Sequence, residues 1–304
     1  MSLLIIGTVA FDAIETPFGK TGKIVGGSAT YVGYSAAKLG VNPKLVAVVG
    51  DDFPTETIND LKNAGFDLEG LQVKKEEKTF FWSGKYHNDM NSRDTLITEL
   101  KVLESFNPVI PDSYQDCTYL MLGNLAPALQ TQVINSLSNR PKLIAMDTMD
   151  FWMDIAMDDL KEAISKVDVL TINDEEARQL SGEYSLLTAA EKIQSMGPRY
   201  LIIKKGEHGA LLFHGKEMFY APALPLAFVK DPTGAGDTFA GGFMGYLAST
   251  DDVSFENMKR AVVYGSALAS FTVEEFGTDN IKAVTQKDLE ARMDAFKALM
   301  SFKH

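Results

Sequence analysis

In the run Asp231-Pro-Thr-Gly-Ala-Gly-Asp-Thr-Phe-Ala-Gly-Gly-Phe243, three residues with almost no side chain precede an acid, and apolar helical sequence follows at once. Gly234, Ala235 and Gly236 let successive backbone N–H groups approach an anion, and glycine tolerates the positive φ that such a nest needs. Phe239, Phe243, Tyr246 and Leu247 recur at i, i+4, i+7 and i+8. That spacing predicts a helix with one buried face, whose first turn, with its unpaired N–H groups and positive dipole end, faces the nest. Asp237 then stands inside an anion site. Aspartate is a common helix cap, but a carboxylate beside a bound anion is electrostatically awkward, which favours a second role. Phosphoryl transfer to a hydroxyl needs donors for the charge on the transferred group and an acceptor for the hydroxyl proton, and Gly-Ala-Gly-Asp supplies both within one turn.

Other phosphate loops do not compete. Gly19-Lys20-Thr21 imitates the end of a P-loop, but the glycine required five residues earlier is Ile14, and no G-x-G-x-x-G follows a predicted strand. The whole run from Asp231 to Met244 resembles the C-terminal signature of the ribokinase-like (PfkB-type) carbohydrate kinases, and Gly26-Gly27 through Leu39-Gly40 resembles their N-terminal signature. The resemblance covers nearly the whole chain, with the motifs in the family's order. It implies that Gly234, Ala235 and Gly236 form the anion hole and that Asp237 deprotonates the acceptor hydroxyl. It also implies that Asp12, beyond the first strand, binds two acceptor hydroxyls beside Gly26 and Gly27. Thr30 stands where many sugar kinases carry Asn. Asn173-Asp-Glu-Glu176 resembles the N-x-x-E motif, with Asn173 and Glu176 organising Mg²⁺ and phosphate, the metal held indirectly through Glu176. Lys205, Gly206, Gly209, Thr233 and Ser266 are implied contacts of ATP, and the loops near Asp231 and Gly277 can bind a monovalent cation such as K⁺. The implied fold is an α/β three-layer sandwich, a mostly parallel sheet with a small β lid, occupying residues 1–304 as one domain. The lid would come from about 12–25 and 71–100, and a homodimer would form through it.

Composition agrees with a soluble globular chain and excludes other classes. With 304 residues, 45% of them hydrophobic, a substantial core can form. A net charge of −12 argues against nucleic acid or an anionic membrane surface as partner. The N-terminus has neither a basic region nor a long apolar run, and Cys117 is the lone cysteine, which fits a reducing cytoplasm and a small buried hydrophobe.

The elements that position these residues follow from periodicity. Leu3 to Ile6 and Lys44 to Val49 read as buried parallel strands. Ser28 to Leu39 reads as a helix with Ser28 as N-cap and Gly40 as its stop, and Thr55 to Ala64 as another, ended by Gly65. Residues 71–100 mix Phe80, Phe81, Trp82 and Tyr86 with turn formers, which predicts short antiparallel lid strands. Arg93 in that stretch reads as a solvated charge, and His208 as a surface residue. Tyr119–Leu122, Leu143–Met146, Val167–Ile172 and Tyr200–Ile203 alternate with helices, and polar Asn124, Asp147, Asn173 and Lys205 gather at their C-terminal ends. Ala261 to Ser270 and residues 286–300 are further helices, the small residues of the former serving either adenine or close helix packing. An intact Asp237 argues for a kinase over a non-catalytic sensor on the same fold. Few basic residues accompany the early glycine turns, which favours an unphosphorylated sugar over a sugar phosphate. The aromatic cluster keeps a nucleoside as the alternative acceptor.

Overall fold

The structure, a computed structural model, describes residues 1–301. Nine strands form the main sheet: β1 (Leu3–Ile6), β5 (Pro43–Gly50), β6 (Asp67–Lys74), β9 (Tyr119–Leu122), β10 (Leu143–Asp147), β11 (Val169–Asn173), β12 (Tyr200–Lys204), β13 (Ala210–His214) and β14 (Glu217–Ala221). Their spatial order is β14-β13-β12-β11-β10-β9-β1-β5-β6; all pairs from β12 to β6 are parallel, and β13 and β14 are antiparallel. A strand covered on both faces must be apolar on both, and β1 has all four residues buried. Its Leu3 and Ile5 enter one core and Leu4 and Ile6 the other, an alternation continued by neighbouring strands.

The first core is covered by α1 (Ser28–Ala37), α2 (Thr55–Asn63), α8 (Ala235–Thr250), α9 (Phe255–Thr272), α10 (Asp279–Ala283) and α11 (Gln286–Met300). The second is covered by α3 (Pro127–Ser136), α4 (Asp150–Ile155), α5 (Met157–Lys166), α6 (Asp174–Ser181) and α7 (Leu186–Gln194). The expected single buried face of α8 is too modest: Thr238 through Gly245 are all buried, because α8 lies between α1 and α9. A β-carbon on Gly245 would stand 2.7 Å from the Ala36 Cα, and one on Gly242 2.9 Å from the Gly265 Cα, so its glycines set the helix spacing.

The second sheet is the lid: β2 (Ala10–Thr16), β3 (Gly19–Lys20), β4 (Ile24–Gly26), β7 (Phe81–Tyr86) and β8 (Arg93–Glu99). It runs β3-β2-β7-β8, with β4 also paired to β2; β2 and β7 are parallel and the other pairs antiparallel. Two expectations are corrected. The second lid segment starts at Phe81, since residues 71–74 belong to β6, whose half-buried alternation is that of an edge strand; Leu68 and Leu71 pack on the first core. Asp12 is not in a loop but inside β2.

Helix α1 also departs from the reading. Gly27, at φ 91°, is its cap, while Ser28 and Thr8 exchange backbone-to-hydroxyl bonds of 2.9 and 3.1 Å. The helix stops at Ala37, and a turn carries the chain to Gly40.

Candidate active site

The N-terminus of α8 lies at the C-terminal rim of the main sheet. Gly234 caps it at φ 74°, a left-handed conformation glycine adopts without strain, and the ring of Tyr31 fills the space a side chain would need, 2.5 Å from a β-carbon built there. One of the three expected donors is exchanged. The Ala235 N–H bonds to the Pro232 carbonyl at 3.2 Å, whereas among the described residues the N–H groups of Gly234, Gly236 and Asp237 have no acceptor. Gly236 is helical, so positive φ does not explain it. A β-carbon there would stand 3.1 Å from Lys204 Nζ, so its bareness leaves room for an ammonium beside the nest.

That ammonium is a residue the sequence reading missed. Lys204 ends β12 and reaches both oxygens of Asp147, at the end of β10, at 3.2 and 3.0 Å. Lys205, one residue later and outside the strand, makes no ion pair among the described residues. Successive side chains leave a strand on opposite faces, so an error of one residue selects the wrong lysine. Burial works against the Lys204 charge, but Asp147, Glu176 and Asp237 outweigh it and raise its pKa.

Asn173 and Glu176 close a capping box on α6, with Glu176 Oε2 accepting from the Asn173 N–H and Asn173 Oδ1 from the Glu176 N–H, both at 2.8 Å. Burial raises the Glu176 pKa to about 7, Lys204 lowers it and Asp147 raises it again. Among the described residues no group of three or more His, Cys, Asp or Glu side chains converges closely enough to hold a metal. The donor set therefore fits Mg²⁺ only as an ion that keeps most of its waters, with Asp147 and Glu176 beside it.

Burial raises the Asp237 pKa far above the carboxylate range, Asp147 raises it further, and Lys204 and Arg93 pull it back. Arg93 is exposed on β8, as expected, and its charge still bears on Asp237. Asp12 faces the same space. Its carboxylate lies against Gly26, whose missing side chain admits it, and the Gly27 backbone donates to it. Burial first, then Asp231, raises the Asp12 pKa to about 7; Gly27 lowers it and Asp237 raises it again.

Other expected contacts separate. The Thr30 hydroxyl donates to the Gly26 carbonyl at 2.8 Å and is wholly buried, so it serves the helix, while its neighbour Tyr31 turns toward the acids. Thr233 donates its N–H to Asp231 at 2.9 Å and its hydroxyl to Tyr86 at 3.2 Å, tying the lid to the nest. A β-carbon on Gly206 would meet the lid's Asn91 at 2.9 Å, and Gly209 admits the Ala221 carbonyl, so both make close contacts within the protein. Ser266 is half-buried on α9, beside Gly265, whose bareness accommodates the Phe239 carbonyl. His208 is exposed, as expected.

The pleat divides the lid aromatics. Asp12 is in register with Trp82, so Trp82, Gly84 and Tyr86 share its face. The indole lies across Gly84 and donates to Thr95 at 3.4 Å. Phe81 is buried on the other face, under Lys23 at 4.7 Å. The lid is seated on the far wall, with Phe18 meeting Phe228 edge-on at 4.8 Å.

A donor nest, a lysine and a raised carboxylate opposite a second buried acid form the constellation for moving a phosphoryl group to a hydroxyl. Residues 2–285 match the model of the pfkB family of carbohydrate kinases. The chain belongs to that family. It is a kinase, a phosphotransferase of the ribokinase-like group. It is 32% identical to a cytidine kinase of Thermococcus kodakarensis over 250 residues, 80% of this chain and 87% of that one. In fold it is similar to a nucleoside kinase of Burkholderia thailandensis solved with inosine, with a TM-score of 0.79 at 19% identity over the whole of both chains. It is also similar to a ribokinase of Arabidopsis thaliana solved with ribose and ATP, with a TM-score of 0.76 at 20% identity over 97% and 98% of the chains. Among the described residues, no helix of this kinase is long and apolar enough to cross a membrane.

Proposed function

We propose that this kinase transfers the γ-phosphoryl group of ATP to a hydroxyl of a small unphosphorylated sugar unit, free or carried in a nucleoside, with residues 1–304 acting as one catalytic domain. The last three of these residues lie outside the described ones. The observation that carries the reading is Asp237 in the first turn of α8, between unpaired N–H groups and across from Asp12. Asp237 accepts the hydroxyl proton, and its raised pKa keeps it a competent base near neutral pH. The Gly234, Gly236 and Asp237 N–H groups and Lys204 receive the negative charge of the group in flight. Asp12, its carboxylate buried against Gly26 on the lid face, holds acceptor hydroxyls. Mg²⁺, where bound with ATP, supplies further charge stabilisation beside Asp147 and Glu176.

The nucleoside form of the acceptor is favoured by Trp82, an indole laid flat on the Asp12 face of the lid. The cytidine kinase relative points the same way. Asp231 is wholly buried and accepts from Thr233 and Gly277 N–H groups with no cationic side chain beside it among the described residues, which supports a monovalent cation there. β8 is an exposed lid edge carrying Leu96 and Ile97, which supports a homodimer through the lid. Cys117, buried with its thiol pushed up to about 11 by that burial, suits a cytoplasmic protein with no disulfide to form.

The test is ADP release with Mg²⁺-ATP across nucleosides, pentoses, hexoses and inositols. A nucleoside is expected to give the highest kcat/KM. No release with any acceptor would remove the reading, and a preference for a free hexose would remove its nucleoside form.

A further inference from the structure

Leu289, Met293 and Phe296 form the stripe by which α11 packs on the first core, and Arg292 stands in that same stripe, three residues after Leu289. Its side chain is only 15% exposed, and a charge kept so far from water needs partners. One Nη donates to Ser270 Oγ at 3.0 Å and the other to Glu274 Oε2 at 2.9 Å, while the guanidinium carbon lies 3.9 Å from the centre of the Phe271 ring. All three partners belong to the last turn of α9 or the residues just past it, where open carbonyls favour a cation. Helix α11 itself begins at Gln286, one residue beyond the stretch that matches the family model.

The segment that Arg292 grips carries both flanks of the nest. The Val273 carbonyl accepts from the N–H groups of Lys230 and Asp231, at 2.8 and 3.3 Å, just before the turn that leads to Gly234. The Thr272 hydroxyl meets that of Thr238 at 2.9 Å, both wholly buried, one residue after Asp237. The chain thus hangs from residues 272 and 273 on either side of the turn that holds the base and the unpaired N–H groups. Any shift of the α9 end is passed to Asp231 and Thr238 together. Groups that act on a transition state tolerate little of this, since a misplacement of about 1 Å can cost ~10²-fold in rate.

We infer that Arg292 is a positioning residue for phosphoryl transfer: by clamping the end of α9 it sets where the Gly234–Asp237 turn stands against the group in flight. This rests on the role proposed above for that turn, and it adds a residue that touches no substrate. Its charge is not the agent, because the cations that bear on Asp237 are Lys204 and Arg93. The agent is the planar fork, which bonds Ser270 and Glu274 at once and lies over Phe271, as a lysine ammonium cannot.

The experiment compares wild type with Arg292→Met, which keeps an unbranched stem in the stripe, and with Arg292→Lys, which keeps the charge without the fork. Arg140→Met is the control, since Arg140 pairs with the buried Asp168 just before β11, at the opposite end of the strands from the nest. Hydrogen exchange of the ligand-free proteins and kinetics with Mg²⁺-ATP and cytidine are measured well below each melting temperature. Arg292→Met is expected to speed exchange over residues 230–239 and to lower kcat about three- to thirtyfold, with the cytidine KM unchanged. Arg292→Lys should fall between it and wild type, and Arg140→Met should melt lower with neither quantity moved. Unchanged exchange over 230–239 would overturn the inference, as would a lysine variant equal to wild type or a control that loses kcat alike. If Arg292→Met does not fold, the lysine variant decides on the same two measures. Faster exchange with kcat intact, or a wild type that releases no ADP with any acceptor, would instead overturn the role proposed for the turn, while the exchange data still decide the clamp.

Discussion

At the scale of single residues, the decisive fact is that the Asp237 pKa is raised by burial and then by Asp147, and still balanced by two cations. Asp237→Asn keeps the shape but cannot take a proton. It should lower kcat by ~10²- to 10⁴-fold while leaving ATP binding nearly intact. A variant retaining half of the wild-type kcat would assign the proton elsewhere. The base works only when deprotonated, so kcat/KM should fall as pH drops through the raised pKa, well above the range of an ordinary carboxylate. Lys204→Met removes a charge that lowers that pKa, so the acid limb should move to higher pH and kcat should fall roughly ten- to a hundredfold. The same change strands the buried Asp147, so the variant should also melt lower. A pH profile whose acid limb stays in place, measured on the folded fraction, would separate Lys204 from the base.

At the scale of elements, the chain's periodicities already told where most strands and helices lie, because burial on two faces leaves a dense apolar run and burial on one leaves a 3.6-residue stripe. The losses were of parity and of partner. The structure sets Lys204, one residue before the expected Lys205, beside Asp147, and one residue is enough to turn a side chain to the other face. Only a known register could have corrected that expectation. Asp147 was visible as a polar residue at a strand end, but its pairing with a lysine two strands further along the chain is a property of the sheet order β12-β11-β10. The lid aromatics pose the same problem in a testable form. Trp82 shares the Asp12 face and Phe81 faces away. If the acceptor is a nucleoside, Trp82→Ala should raise its KM roughly five- to a hundredfold, as lost base stacking commonly does, with little change in melting temperature. Phe81→Ala should do the reverse and lower the melting temperature with KM nearly unchanged. Steady-state kinetics beside thermal melts decide it, and the opposite assignment would mean that the acceptor lies on the other side of the lid.

At the scale of the whole molecule, the site works against the fold. Asp12, Asp231, Asp237 and Glu176 are all raised by burial, in a chain that already carries a net charge of −12. A raised carboxylate holds its proton in the folded state at a pH where the unfolded chain has released it. Its contribution to stability is therefore complete below the unfolded pKa and is lost as pH rises through the folded one. For Asp12 and Glu176 the window runs from ordinary carboxylate values to about 7. The exposed carboxylates lowered by their own partners, such as Asp89 at about 2, lose their contributions only at the acid end of that range or below it. The ligand-free kinase should consequently melt at a higher temperature near pH 5 than near pH 8. Asp12→Asn imitates the protonated acid, so it should melt like wild type at pH 5 and a few degrees above it at pH 8, while losing acceptor affinity at both. Scanning calorimetry of the two proteins at the two pH values is the measurement. An Asn variant no more stable than wild type at pH 8 would mean that Asp12 is ionised without cost in the empty site, and the acids would then be held by the fold rather than for the acceptor.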